Sequence, residues 1–432
     1  MSTSTFPSTA IYLSLASRYR VMRAAFYTPS VATRKAVVMG LPLMIWGDPG
    51  VGKTSGAREI GLVTGAPVEV FSPGERGEAA IGVVPVPAAD GYLDTPLPRW
   101  AEKFVANDGF GYLVLDELPT ADERVQPGMM AAVLERTIGG VPFGRRTRVI
   151  ATGNPPEQTP GGHDLAAPLA NRLVHLDWPS PTVEEWEGYM AVNETDAEGV
   201  EELPEELRAR LSASRALPES EDAAEVEARV LRAWPGAMAN ALMRVGSFLR
   251  ALPGHLHRMP DPGSTGSGQA WASPRSWDMA TRALAGASIH GLTADETLAL
   301  VAGCVGRAVA REFTHYCAKL DLPAAESVLS GDYVWDHAHD RPDRTRAILS
   351  GITACMISTP PDSPKFNAYG EVFWRYMLAI AEYTPDVVNR FAAAAGAARG
   401  VLRAGQPTGA AFVKADSMRV MTRITGTGIV KM

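Results

Sequence analysis

Leu41-Pro-Leu-Met-Ile-Trp46 runs directly into Gly47-Asp48-Pro49-Gly50-Val51-Gly52-Lys53-Thr54, and Ser55 to Leu62 follows with helical character. An apolar strand, a glycine-rich loop and a helix start make the context in which such a loop cradles phosphate. The glycines let the backbone curl so that its N–H groups converge on phosphate oxygens, and the helix N-terminus adds partial positive charge. In that arrangement Lys53 reaches the outer phosphates and the Thr54 hydroxyl holds Mg²⁺.

Further short apolar runs recur downstream. Pro67 to Phe71, Gly111 to Leu115 and Arg148 to Thr152 read as strands, with helical candidates such as Pro127 to Arg136 between them. Strands alternating with helices predict an α/β fold, a parallel sheet covered on both faces. Tyr112-Leu-Val-Leu-Asp116-Glu117 ends such a strand in two acids. At the carboxyl edge of a doubly wound sheet they lie beside the phosphate loop. Asp116 then binds Mg²⁺ and Glu117 polarises the attacking water. Val149-Ile-Ala-Thr-Gly-Asn154-Pro-Pro ends another strand at the same edge, where an asparagine can hold water against the terminal phosphate.

These segments together resemble the AAA+ ATPases and, within them, the MoxR family. The resemblance rests on Gly47 to Thr54, Asp116-Glu117, Ala151-Thr-Gly-Asn-Pro-Pro-Glu-Gln158, Leu169-Ala-Asn-Arg172 and Ser273-Pro-Arg275, in that order. It covers residues from about 40 to 290 and only loosely the tail. It implies ATP and Mg²⁺ as ligands and ATP hydrolysis as the reaction. Asn154 matches a sensor that watches the terminal phosphate. Arg172 matches an arginine finger reaching the nucleotide of a neighbouring subunit, and Arg275 a second sensor that contacts phosphate from the lid of its own subunit. A finger supplied across subunits implies a ring, a hexamer by family expectation. The resemblance further implies a chaperone-like motor that remodels or activates a client, in similar systems often a protein carrying a von Willebrand factor A domain. The chain departs from the family at Leu118-Pro119, where an Asn-Arg pair is usual.

The expected organisation is a lead-in over 1–35, an α/β ATPase core over 36–180, an α-helical lid over 181–320 and a helical extension over 321–432. In the lead-in, Ile11 to Phe26 reads as an amphipathic helix with Arg18, Arg20 and Arg23 on its wet side. Within the lid, 194–227 is strongly acidic, broken by Pro204 and Pro218, and reads as a solvated helical insertion or a partner-docking surface. Val183 to Val192, Val230 to Leu252, Ser273 to about Ala318, Thr345 to Ile357 and Gly370 to Arg403 have helical patterns, and Asp416 to Met432 is a strand or a tail.

The formal net charge of −7 gives no general attraction to nucleic acid or to a membrane surface. Apolar content of 46% with 21% charged residues fits a globular chain, and no run approaches the ~20 apolar residues of a membrane span. Cys304, Cys317 and Cys355 lie far apart, which predicts neither a disulfide framework nor a zinc site and fits a reducing cytoplasm. The start, Met1-Ser-Thr-Ser-Thr-Phe-Pro7, lacks the pattern of a secretory leader. Trp335-Asp-His-Ala-His-Asp340, like His255 and His257, reads as solvated loop rather than metal site, and Met129, Met130 and Met356 read as core. Pro96-Leu-Pro-Arg-Trp100 is surface packing or part of a pore insertion. Two other functional classes fit the motifs: a low-turnover, ATP-dependent assembly switch, and a motor acting on nucleic acid. The motifs do not separate ATP from GTP.

Overall fold

The computed structural model describes residues 13–30, 37–73, 86–94, 99–121, 126–138, 141–155, 165–186, 222–261, 266, 268–359 and 363–381. The expected acidic insertion up to 221, the tail beyond 381 and Pro96 to Pro98 lie outside them. In chain order the elements are α1 (Leu15–Phe26), β1 (Pro29–Ser30), β2 (Val37–Val38), β3 (Leu43–Trp46), α2 (Lys53–Thr64), β4 (Val68–Phe71), β5 (Val86–Pro87), β6 (Leu93–Asp94), α3 (Arg99–Ala106), β7 (Gly111–Leu115), α4 (Gln126–Glu135), β8 (Thr137–Ile138), β9 (Val141–Pro142), β10 (Thr147–Gly153), α5 (Ala167–Ala170) and β11 (Val174–Asp177). Then follow α6 (Ala223–Ala251), α7 (Pro274–Ile289), α8 (Ala294–Val305), α9 (Arg307–Leu320), α10 (Ala325–Ser330), α11 (Pro342–Ser358) and α12 (Lys365–Ala381). The chain divides into two compact units, one of residues 1–232 with 256–311, the other of 233–255 with 312–432.

The first unit is built on a five-stranded sheet in the order β11-β3-β10-β7-β4, every pairing parallel. Parallel neighbours need crossover connections, and the helices between strands supply them. Residues of β3, β7 and β10 are buried throughout, as inner strands of a sheet covered on both faces must be. Register fixes what the sheet presents at its carboxyl edge. Gly153 and Asp177 both stand level with Trp46, while Leu115 stands level with Ala151 and with Phe71. Because β10 lies between β3 and β7, Asn154 emerges between the glycine loop and Asp116.

Four strands of the sheet have the apolar runs that predict them; β11 is the fifth. Val174-His-Leu-Asp177 is short and carries two ionisable residues, so it has no apolar run to announce it. Its burial comes from its neighbours: β3 on one side and α8 above. Gly303 of α8 approaches so closely that a Cβ there would stand 2.3 Å from the carbonyl oxygen of His175.

Helix α1 forms as expected, but Arg18 is not on a wet face. It is 5% exposed, lies over the Trp178 ring at 5.2 Å, donates to the Leu13 carbonyl at 3.1 Å and stands 3.8 Å from Glu185. Tyr19, Val21, Met22, Ala24, Ala25 and Phe26 are buried with it, against α7 and α8. Helical periodicity counts an arginine as polar, whereas this one buries its stem and places its head on an aromatic ring and backbone carbonyls.

In the second unit α10, α11 and α12 enclose a core that includes Val328, Trp335, Ile352, Met356, Phe373 and Met377. The stretch Trp335 to Asp340 is only partly a solvated loop. His339 is exposed beside Asp336, but Trp335 is buried and donates to Asp340, which also pairs with Arg344 at 2.6 Å. His255 is buried 2.9 Å from Glu312, against its reading as solvated, whereas His257 is exposed. Among the described residues no helix is long and apolar enough to cross a membrane.

Candidate functional site

The glycine loop joins β3 to α2, whose first residue is Lys53. Gly50 and Gly52 have φ of +79° and +84°, with open space where a Cβ would be, so conformation alone requires glycine there. At Gly47 the reason is space, since a Cβ would lie 2.3 Å from the Trp178 carbonyl oxygen. Trp178, just past β11, supports the loop from behind. Its N–H donates to Trp46 at 2.6 Å and its indole to the Val51 carbonyl at 3.3 Å, while its ring covers Gly56 of α2. No local pattern marks Trp178; its place depends on β11, which has no apolar run of its own.

Lys53 Nζ donates at 2.8 Å to each of three oxygens: the Gly47 carbonyl, the Asp48 carbonyl and Asn154 Oδ1. Burial holds its pKa below the usual lysine range, opposed by the charges of Asp116, Glu117 and Asp48. One carboxylate oxygen of Asp48 is enclosed without a hydrogen-bond partner.

The acids follow β7. Asp116 Oδ1 accepts from Thr54 Oγ1 at 2.7 Å and from Thr152 Oγ1 at 2.6 Å. Thr152, to which the sequence reading gave no role, also accepts from the Glu117 backbone N–H at 3.1 Å, so one hydroxyl of β10 fixes both acids. Glu117 sits in the left-handed region, φ 52° and ψ 43°, which costs a non-glycine residue energy, and its side chain is exposed. Leu118 and Pro119 are buried behind it, Pro119 so close that a Cβ on Gly153 would meet its ring at 2.7 Å. Leu118 and Pro119 therefore serve packing within the chain.

Arg172 and Arg275 lie on two segments that a hydrogen bond from Ser273 Oγ to Asn171 Oδ1 joins. Arg172 follows α5 and donates to the Pro168 carbonyl at 2.5 Å; Arg275 lies in the first turn of α7. Burial lowers the Arg172 pKa, and the charge of Arg275 lowers it further. Among the described residues no hydrogen bond or ion pair joins either arginine to the glycine loop. The loop strand does touch this region indirectly. Trp46 Nε1 donates to His175 Nδ1 at 2.8 Å, and His175 Nε2 lies 2.9 Å from the Ala170 carbonyl, two residues before Arg172. Donation by Trp46 requires a lone pair on Nδ1, so the proton of neutral His175 is on Nε2. Burial pushes His175 down to about 4, against the opposing effect of the Ala170 hydrogen bond.

Compared with protein-family models and with curated proteins, the chain matches none.

Proposed function

We propose that the chain is a Mg²⁺-dependent ATPase of the AAA+ kind, resembling the MoxR family, which works as a ring and uses hydrolysis to remodel or activate a partner protein. The observation that carries this reading is the convergence of Lys53, Thr54, Asp116 and Asn154 from three adjacent parallel strands onto one sheet edge, with hydrogen bonds of 2.7–2.8 Å. Ligands of open parallel sheets bind at this edge.

The residues fit the ligand. Gly50 and Gly52 leave open space beside a helix N-terminus, and Lys53 presents an ammonium whose protein partners are all oxygens. Mg²⁺ with ATP supplies a polarised terminal phosphoryl group. Lys53 binds and orients phosphate oxygens. Thr54 and Asp116 present hard oxygen donors to the cation, the donor set that magnesium prefers. Glu117, exposed beside them, accepts a proton from the attacking water, and Asn154 orients that water. Arg172 and Arg275 supply positive charge to the transferred group. An arginine of this kind is worth roughly 10³ to 10⁵ in rate.

Phosphate release and nucleotide binding, measured on the parent and on Lys53→Ala and Glu117→Gln, test the reading. Loss of binding in the first and retained binding without turnover in the second are expected. Hydrolysis at the parent rate in both would overturn it. A rise in specific activity with protein concentration, parallel to assembly, is expected of the ring.

A further inference from the structure

Gly56 has no part in the phosphate motif, yet it lies inside α2, where a glycine weakens the helix. The Trp178 indole requires it, since a Cβ on Gly56 would stand 2.7 and 2.8 Å from two ring carbons. Gly47 makes room in the same way for the Trp178 carbonyl. One residue thus meets the start of the loop and the helix that follows it. The indole is held in that place. Trp178 is 4% exposed, Arg18 lies over its ring at 5.2 Å, and the Tyr19 ring packs T-shaped against it with centroids 5.9 Å apart. Arg18 is itself tied down, by donation to the Leu13 carbonyl at 3.1 Å and by Glu185 at 3.8 Å.

Held there, the indole fixes one peptide plane of the loop. Its Nε1–H donates to the Val51 carbonyl at 3.3 Å. The Val51–Gly52 peptide is trans, so its C=O and N–H point in opposite directions. With the carbonyl against Trp178, the Gly52 N–H faces the other way. That is the open side of the loop, where Gly52 is exposed and nothing lies within 4 Å of its Cβ position. A glycine at φ +84° has a wide choice of peptide orientations unless a neighbour removes it.

We propose that Trp178 is a positioning residue that aims the Gly52 N–H at a phosphate oxygen of the bound nucleotide. This rests on the ATPase reading and adds a residue to it. The buried ring offers no face to a nucleotide base, so Trp178 acts through the peptide it anchors. A donor aimed in advance loses less freedom when the ligand arrives. It serves the phosphate alike before and during transfer, so it contributes to affinity rather than to turnover.

Trp178→Phe keeps an aromatic ring between Arg18 and Gly56 and removes the N–H. The test measures MgADP binding by calorimetry, and kcat and KM for MgATP, on the full-length parent and variant. Kd for MgADP and KM for MgATP are expected to rise together by about three- to tenfold, the loss of one net hydrogen bond. The expected kcat stays within about twofold of the parent. A lower unfolding temperature with unchanged Kd shows that Trp178 only packs, and overturns the proposal. A fall in kcat with Kd and KM unchanged overturns it too, because an aimed donor acts on binding. Should Trp178→Phe fail to fold, Gly56→Ala takes its place. It improves the helix propensity of α2 but pushes the indole off Val51, and an unchanged Kd there overturns the proposal. A parent that binds neither nucleotide ends the ATPase reading itself. A parent that binds both, with variants that bind equally well, removes only the role of Trp178.

Discussion

Asp116 Oδ1 accepts two hydroxyl hydrogens, from Thr54 at 2.7 Å and from Thr152 at 2.6 Å, and both hydroxyls come from the same side of β7 in the sheet order. Thr54 lies in the first turn of the helix after β3, and Thr152 lies on β10, between β3 and β7. The second contact makes the acid a fixed point rather than a free strand end.

Thr152→Val should therefore act at a distance from the phosphate. The shape is nearly kept, but Asp116 loses a donor and the Glu117 N–H loses its acceptor. An unsatisfied buried group of this kind costs about 1–3 kcal/mol. The expected outcome is a stability loss in that range by denaturant unfolding, with a several-fold higher Mg²⁺ concentration at half-maximal phosphate release. Thr152→Ser should restore both. An unchanged Mg²⁺ titration would separate Thr152 from the cation site.

The glycines of the loop differ in kind, and alanine should show it. Gly47→Ala places a Cβ 2.3 Å from the Trp178 carbonyl oxygen, so backbone must shift. Overpacking of this sort costs about 1–3 kcal/mol, occasionally more. Gly50→Ala meets nothing within 4 Å, but its φ of +79° costs an alanine roughly 1–2 kcal/mol. Thermal unfolding should place Gly47→Ala as the less stable of the two, and Trp178 fluorescence should shift only in Gly47→Ala.

What was legible in the sequence and what was not divide along a physical line. The strands β3, β4, β7 and β10 are runs that announce themselves, and β3 is followed by glycines in fixed positions. The supports come from elsewhere in the chain. Trp178 behind the loop, Thr152 on Asp116 and Asn171 on Ser273 have no local pattern, because each depends on which strand or helix end lies next to which. Glu227 is a case in the opposite direction. At the end of an acidic stretch it reads as solvated, yet it is half-buried and holds Arg148, whose side chain is fully buried, at 3.0 Å. Charge runs predict a wet face only until a buried cation claims one of their members.

His175 gives the fold a pH dependence with a definite sign. Its folded pKa lies at about 4 against an unfolded value of 6.5. The unfolded chain thus binds a proton between those values that the folded protein does not. Stability is complete above 6.5 and falls as pH drops toward 4, where the folded protein protonates as well and the loss levels off. The full effect is on the order of 3 kcal/mol. His175→Gln keeps an acceptor for Trp46 and a donor for Ala170 but does not titrate. Its stability should fall less between pH 7 and 4 than that of the parent. Parallel curves for the two proteins would mean that His175 does not carry the effect.

Glu117 places strain and proposed function at one residue. A left-handed backbone at a glutamate costs roughly 1–2 kcal/mol, a cost the fold bears only because its neighbours hold the turn. Leu118 and Pro119 are buried immediately after it, and its N–H is held by Thr152. Glu117→Gly removes the steric penalty, and the gain is partly offset by the greater freedom of glycine in the unfolded chain. Stability should be equal to the parent or higher by up to about 1 kcal/mol. The proposed proton acceptor is lost at the same time, and general-base catalysis is typically worth 10²–10⁴ in rate. ATP binding should persist while phosphate release falls by about that factor. Glu117→Gln should lose turnover equally without the gain in stability, since glutamine meets the same backbone penalty. The comparison separates strain from chemistry. A glycine variant that is less stable than the glutamine variant would show that the turn is not strained. A glycine variant that hydrolyses ATP at the parent rate would show that Glu117 is not the base.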